Sequence, residues 1–175
     1  VKYSNEKLIE RANLKHSPVS RTAILGTLAA KEAWGTNQHQ DNIRTGLISA
    51  TSVGGMDISE HLYKDHLEGK AFDPTLVFNH DNGNTTEWIA KELGIQGYIN
   101  TLSTACSSGA NAMMLGARLI KQNKLDRVLV GGTDALANFT INGFNSLMIY
   151  DQEWCKPFDK NRSGLNLGEG AGFLL

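Results

Sequence analysis

Apolar positions along this chain keep two alternating rhythms, one helical and one of short β-prone runs. Over Asn5 to Ala12 and again over Ser20 to Trp34 they recur at helical spacing, with Ser4 and Ser20 standing where N-caps are expected. Arg44 to Ala50 reads as a strand ending in Thr51-Ser-Val-Gly-Gly55, and Asp57 to His66 as a short helix. Thr85 to Leu93 is expected to be a helix stopped by Gly94, and Tyr98 to Thr104 a strand. In the helix after Cys106, the residues Ala110, Met113, Met114, Ala117 and Ile120 mark the face expected to be buried. Arg118, Lys121 and Gln122 mark the other. Arg127 to Val130 is a further strand, Asn138 to Ile149 an irregular or helical stretch, and Ala171 to Leu175 a last strand. Helices alternating with short β-rich runs predict a layered α/β fold. No internal repeat, low-complexity tract or linker breaks the pattern.

The run Asn100-Thr-Leu-Ser-Thr-Ala-Cys-Ser-Ser-Gly-Ala110 places Cys106 where a strand turns through small residues into a helix. The unpaired N–H groups and dipole of a first helical turn favour an anion, and the thiolate is the reactive form of a cysteine. Free cysteines are more often inert core residues; here the neighbouring sequence favours the nucleophile. Gly109 removes a side chain beside the thiol, and Ala110, Ala112, Gly116 and Ala117 let other backbone approach. Small residues around a nucleophile leave room for a substrate.

Composition narrows the classes without choosing among them. A chain of 175 residues with 41% hydrophobic content can bury one sizeable core. A net charge of −1 carries no electrostatic footprint for nucleic acid. No apolar run approaches ~18 residues and no signal peptide is visible, so the chain reads as cytoplasmic, with no membrane partner. Cys106 and Cys155 do not form a disulfide framework. His61 and His66 lie five apart on an expected helix, and His80 with Cys106 invites a dyad reading. These three, with His16 and His39, are read instead as surface or loop groups. No metal is expected, because metal-ligand spacings are absent.

Three further stretches follow the cysteine motif Thr104-Ala-Cys-Ser-Ser-Gly109: Arg127-Val-Leu-Val-Gly-Gly-Thr133, Lys156-Pro-Phe-Asp-Lys-Asn-Arg-Ser-Gly164 and Gly168-Glu-Gly-Ala-Gly172. In this order and spacing they resemble the elongating β-ketoacyl-acyl carrier protein synthases and the ketosynthase domains of polyketide synthases, specifically from about Arg44 to Leu175. The resemblance implies the N-terminal half of a thiolase-like layered α/β fold, a mixed sheet flanked by helices. It makes residues 1–175 one β-ketoacyl synthase N-terminal domain that looks cut at both ends, at Val1 and within Gly172-Phe-Leu-Leu175. These residues alone are then expected to be inactive and prone to aggregate.

The same resemblance implies an acyltransferase without a cofactor, which condenses an acyl-cysteine with malonyl-acyl carrier protein. Cys106 would carry the acyl group, and its backbone N–H would be one oxyanion donor. Val53, Leu76 and Phe144 match acyl-pocket positions, Val53 limiting acyl depth, with ordinary core packing as the other reading of each. None of the five histidines matches a catalytic position. Glu169 is read as a structural group bonding backbone N–H groups in a tight turn, Asp134 and Asp159-Lys-Asn-Arg162 as turn and loop groups, and Cys155 as a bystander. The partners implied are acyl carrier protein and a second copy, joined through strand 98–104. Two alternatives stand beside this reading. One is a non-catalytic partner like the chain-length factors, which usually lack the cysteine; the other is another thiolase-fold enzyme, such as a thiolase or starter-unit synthase. Fatty acid and polyketide-type synthesis both remain open.

Overall fold

Period-two alternation in the strands assigns each residue to one side of a sheet. In the computed structural model, which describes residues 2–15, 20–37 and 42–175, β1 (Thr45–Ala50) is buried along its whole length because both faces are covered. Leu47 joins Leu129 and Phe173 on one face, packed against Ala30, Trp34, Ile89 and Ala90. Ile48 and Ala50 join Val128 and Val130 on the other, against Ala112 and Leu119. His16 and His39 lie outside the described residues.

The helices are α1 (Asn5–Ala12), α2 (Arg21–Trp34), α3 (Met56–Leu67), α4 (Asn82–Leu93), α5 (Ser108–Lys121) and α6 (Asn138–Ser146), with a 3-10 helix at Pro74–His80. The remaining strands are β2 (Tyr98–Leu102), β3 (Arg127–Asp134) and β4 (Gly170–Leu174). The sheet order is β2-β1-β3-β4. β1 runs parallel to β2 and β3, and β4 pairs antiparallel to β3, so this is a mixed sheet between helices α2 and α4 on one side and α5 on the other.

Caps read from the sequence take those roles. Ser4 accepts the Lys7 N–H, Ser20 accepts the Ala23 N–H, and Gly94 ends α4 in the left-handed conformation at φ 68°. Other boundaries move. α4 begins at Asn82, because Asp81 caps it through the Gly83 N–H. β2 stops at Leu102, since Ser103 and Thr104 already belong to the turn that carries Cys106. β3 runs on from Val130 to Asp134, and only glycine fits at 131, where a Cβ would collide with the Gly172 carbonyl of β4.

The expected face of α5 is corrected. Ala112, Gly116 and Leu119 face the sheet, whereas Met113, Met114 and Ile120 are 44%, 50% and 40% exposed. The physical reason is the approach distance: a Cβ on Gly116 would strike Val130, so the sheet seats against the smallest stripe of the helix and not its bulkiest. Among the described residues no helix is long and apolar enough to cross a membrane.

Candidate active site

Because β1, β2 and β3 are parallel, their C-terminal ends share one edge of the sheet, the usual position for ligand sites in open α/β sheets. Thr51 follows β1, Cys106 follows β2, and Asp134 ends β3. Ala105 turns the chain with φ at 52°, a left-handed conformation that a residue with a Cβ adopts only when its surroundings hold it there. Here the Ala105 carbonyl accepts bonds from Ser52 Oγ at 3.1 Å, Ser108 N–H at 3.0 Å and Ser108 Oγ at 2.6 Å. Ser108 Oγ in turn accepts the Thr104 N–H at 2.8 Å, and Asn111 Nδ2 donates to Thr104 Oγ1 at 2.7 Å. These bonds brace the turn without using the Cys106 N–H, and the thiol beside it is exposed. Two residues later α5 begins, with no side-chain cap from Ser107, its N-cap residue.

Two cavities meet at Ala105 and Cys106. One, of about 300 Å³, is walled by Val53, Met56, Phe139, Gly143, Phe144 and Leu147, and is almost wholly apolar. The other, of about 380 Å³, is walled by small residues: Ala50, Thr51, Gly109, Gly132, Thr133, Gly168 just before β4, and Gly170 and Gly172 at its start, with Asp134. The thiol therefore stands between an apolar slot and a small-residue chamber. A larger groove of about 790 Å³ along Val77, Phe78, His80 and Asp81 lies away from the thiol and holds no nucleophile.

Val53 and Phe144 share the apolar cavity with Cys106; Leu76 does not. The 3-10 helix that carries Leu76 packs on α3 and α4, so the side chain lines a separate groove of about 400 Å³ with Phe78 and Trp88. None of the described histidines lines the Cys106 cavities. His66 sits edge-on to Phe72 at 6.2 Å, and His80 Nδ1 bonds Ser59 Oγ at 2.9 Å. Cys155 is exposed in a loop, where its N–H donates to Asn166. Among the described residues, no group of three or more His, Cys, Asp or Glu is placed to hold a metal.

Two carboxylates frame the site. Asp134 Oδ1 accepts from Thr51 Oγ1 at 2.7 Å, Ser52 N–H at 2.8 Å and Val53 N–H at 3.1 Å, which fixes the turn that presents Val53. Gly54 continues that turn at φ 51°. Glu169 pairs with the Arg21 guanidinium through two bonds of 2.7 and 2.5 Å, with the Leu136 N–H added at 3.4 Å. That pair holds the Glu169 carboxyl below the usual glutamate range, and it ties the segment just before β4 to the start of α2. Asp57, whose Oδ2 accepts the Arg21 N–H at 2.8 Å, is instead pushed up by burial. Glu169, read from the sequence as bonding nearby backbone N–H groups, bonds instead Arg21, 148 residues away, and the Leu136 N–H, and the partners of Asp134 lie 81 to 83 residues away, so neither set of partners was legible in the sequence.

Comparison with known proteins points to one family. The family model for the β-ketoacyl synthase N-terminal domain matches residues 7–175. Nodulation protein E of Rhizobium meliloti is 29% identical over 164 residues, which cover 90% of this chain and 41% of that protein. The 3-oxoacyl-[acyl-carrier-protein] synthase 2 of Staphylococcus aureus is 28% identical over 144 residues, 75% of this chain and 35% of the relative. Among solved structures, the ishigamide ketosynthase/chain length factor superposes with TM-score 0.80 at 25% identity, covering 99% of this chain and 46% of that one. A ketosynthase in complex with its chain length factor from Xenorhabdus doucetiae gives TM-score 0.74 at 30% identity, covering 91% and 43%. The chain thus spans less than half the length of the curated relatives it matches.

Proposed function

The chain belongs to the β-ketoacyl synthase family, whose N-terminal domain it carries over residues 7–175, and on that premise we propose that the complete protein is a condensing acyltransferase with Cys106 as its nucleophile. The observation that carries this is the position of Cys106: an exposed thiol on a braced left-handed turn, opening into an apolar slot of about 300 Å³. In the first step the Cys106 sulfur attacks an acyl thioester on acyl carrier protein; the new C–S bond forms as the carrier thiol leaves. Malonyl-carrier protein then loses carbon dioxide, and the electron pair released attacks the acyl-cysteine carbonyl. A C–C bond forms and the Cys106 thiolate departs. Splitting one difficult bond formation into two covalent steps is the catalytic gain.

The Cys106 N–H, which takes no part in the bonds that brace the turn at Ala105, would be the chain's own oxyanion donor in this scheme, a kind of contact worth about 3 kcal/mol in acyl transfer. The histidines that assist decarboxylation, and a second oxyanion donor, would come from residues beyond this chain. Val53 and Phe144 would line the acyl slot. Leu76, which lines a separate groove in this chain, takes no part in the slot described here. Acyl carrier protein is the proposed donor partner, and a second copy pairs along the open edge of β2. Pairing with chain length factors in two of the similar structures raises the reading of a non-catalytic partner subunit. The presence of the thiol in the slot favours the catalytic one.

The test is acylation. In the complete protein, iodoacetamide is expected to label Cys106 before Cys155, and Cys106→Ala to abolish condensation while the fold is kept, because the sulfur faces a cavity. First labelling of Cys155, or a condensing Cys106→Ala protein, would overturn the assignment.

A further inference from the structure

The apolar slot has one wall that cannot hold its own first turn. α6 carries Phe139, Gly143 and Phe144 into the slot, yet none of its residues is buried. Its N-cap residue is Ala137, which has no side-chain acceptor for the free N–H groups that open every helix. The acceptor comes from another helix. Glu60, in the middle of α3, places Oε1 against the Asn138 N–H at 3.1 Å and the Asn138 Nδ2 at 2.9 Å, and Oε2 against the Phe139 N–H at 3.1 Å. One carboxylate therefore caps α6 in place of the missing side chain, with the sign of charge that a helix N-terminus favours.

α6 packs against α3, whose own first residue, Met56, also lines the slot. The root of α3 is fixed independently: Asp57 accepts the Arg21 N–H at 2.8 Å, and at Gly55 any Cβ would collide with the Asn79 carbonyl. So Glu60 bridges a fixed wall to one that lacks a cap of its own. Take the bridge away and the first turn of α6, with Phe139, is free to swing outward and widen the slot.

We propose that Glu60 is a positioning residue for specificity: by capping α6 from α3 it sets the width of the apolar slot beside Cys106, and with it the acyl lengths that slot accepts. The proposal rests on the acyl-enzyme reading above. It deepens that reading by naming what holds the slot to size.

The experiment compares the complete protein with its Glu60→Ala, Glu60→Gln and Glu68→Ala variants. The last removes a carboxylate from the C-terminal end of the same helix, where it pairs with the surface lysines Lys64 and Lys70. Two quantities are read: amide hydrogen exchange over residues 138–141, and acylation of Cys106 by a series of small acyl thioesters of rising chain length. Glu60→Ala is expected to speed exchange by about fivefold, the size of a lost helix cap, and to flatten the preference among chain lengths by a similar factor. Iodoacetamide labelling of Cys106 should stay at the wild-type rate, since the turn at Ala105 is braced separately. Glu60→Gln, which keeps one acceptor oxygen, should recover part of both effects, and Glu68→Ala should show neither. Unchanged exchange and an unchanged length profile in Glu60→Ala, or equal changes in Glu68→Ala, would overturn the proposal. A wild-type Cys106 that takes an acyl group from no thioester would overturn the acyl-enzyme reading, and the specificity role with it. The exchange measurement would still report whether Glu60 caps α6.

Discussion

At the scale of single residues, the site depends on backbone that local preference would not choose. Ala105 sits at φ 52° because three donors converge on its carbonyl, two from Ser108 and one from Ser52. Ser52 also donates its N–H to Asp134, so the turn carrying the thiol and the turn carrying Val53 are tied to one carboxylate. Val53 is then a side chain of free volume on a fixed backbone, with its N–H on Asp134 and its carbonyl accepting the Met56 N–H at 3.1 Å. Val53→Phe is expected to shorten the acyl chains taken up by the complete protein and Val53→Ala to lengthen them, because filling or opening an apolar slot changes what can be buried there. Product chain-length profiles decide it. Identical profiles in both variants would return Val53 to ordinary packing.

At the scale of elements, the Arg21–Glu169 pair joins the N-terminus of α2 to the turn before β4, and both side chains are largely buried. Removing one partner of such a pair strands the other. Arg21→Met is therefore expected to cost about 3 kcal/mol at pH 7, read as a lower unfolding midpoint. The pH dependence follows from the direction of the Glu169 shift. Its carboxyl is lowered in the fold by the Arg21 bond, so its stability contribution is full above the ordinary glutamate value of 4.5 and is lost as pH falls through the lower folded value. Asp57, raised by burial, contributes with the opposite sign, and its bond from the backbone N–H of residue 21 does not depend on the Arg21 side chain. The gap between wild type and Arg21→Met should narrow from pH 7 to pH 3. A gap that stays constant would show that the ion pair is not its source.

At the scale of the whole molecule, apolar side chains of β2 and of α5 are among those left exposed in the described residues. At the open edge of the sheet, Tyr98 and Ile99 of β2 are 37% and 42% exposed. An unpaired strand edge invites another strand, and a twofold pairing with an identical chain closes it. In the proposed homodimer Ile99→Lys would set two like charges into one ladder, which opposes pairing. Light scattering is expected to find a dimer for the complete wild-type protein at micromolar concentration and monomer for Ile99→Lys; a wild-type monomer would refute the assembly. The second surface is the Met113, Met114 and Ile120 face of α5. The sheet covers the side of Ala112, Gly116 and Leu119, so this second apolar stripe faces outward.

What the amino-acid sequence determined by itself is what a few neighbouring residues can encode. The caps at Ser4, Ser20 and Gly94, the order of helices and strands, and the motif around Cys106 were all legible, because each signal is complete within a turn or two. Only the tertiary structure decided which apolar stripe of α5 meets the sheet, since both stripes fit the helical period and the choice rests on how closely Val130 approaches Gly116. It also decided that Val53 and Phe144 share a cavity with Cys106 while Leu76 lies elsewhere. The bracing carboxylates belong with these: Glu60 meets Asn138 across 78 residues and Glu169 meets Arg21 across 148. No local pattern encodes such bonds, because they form only when packing has brought distant segments within reach of one hydrogen bond.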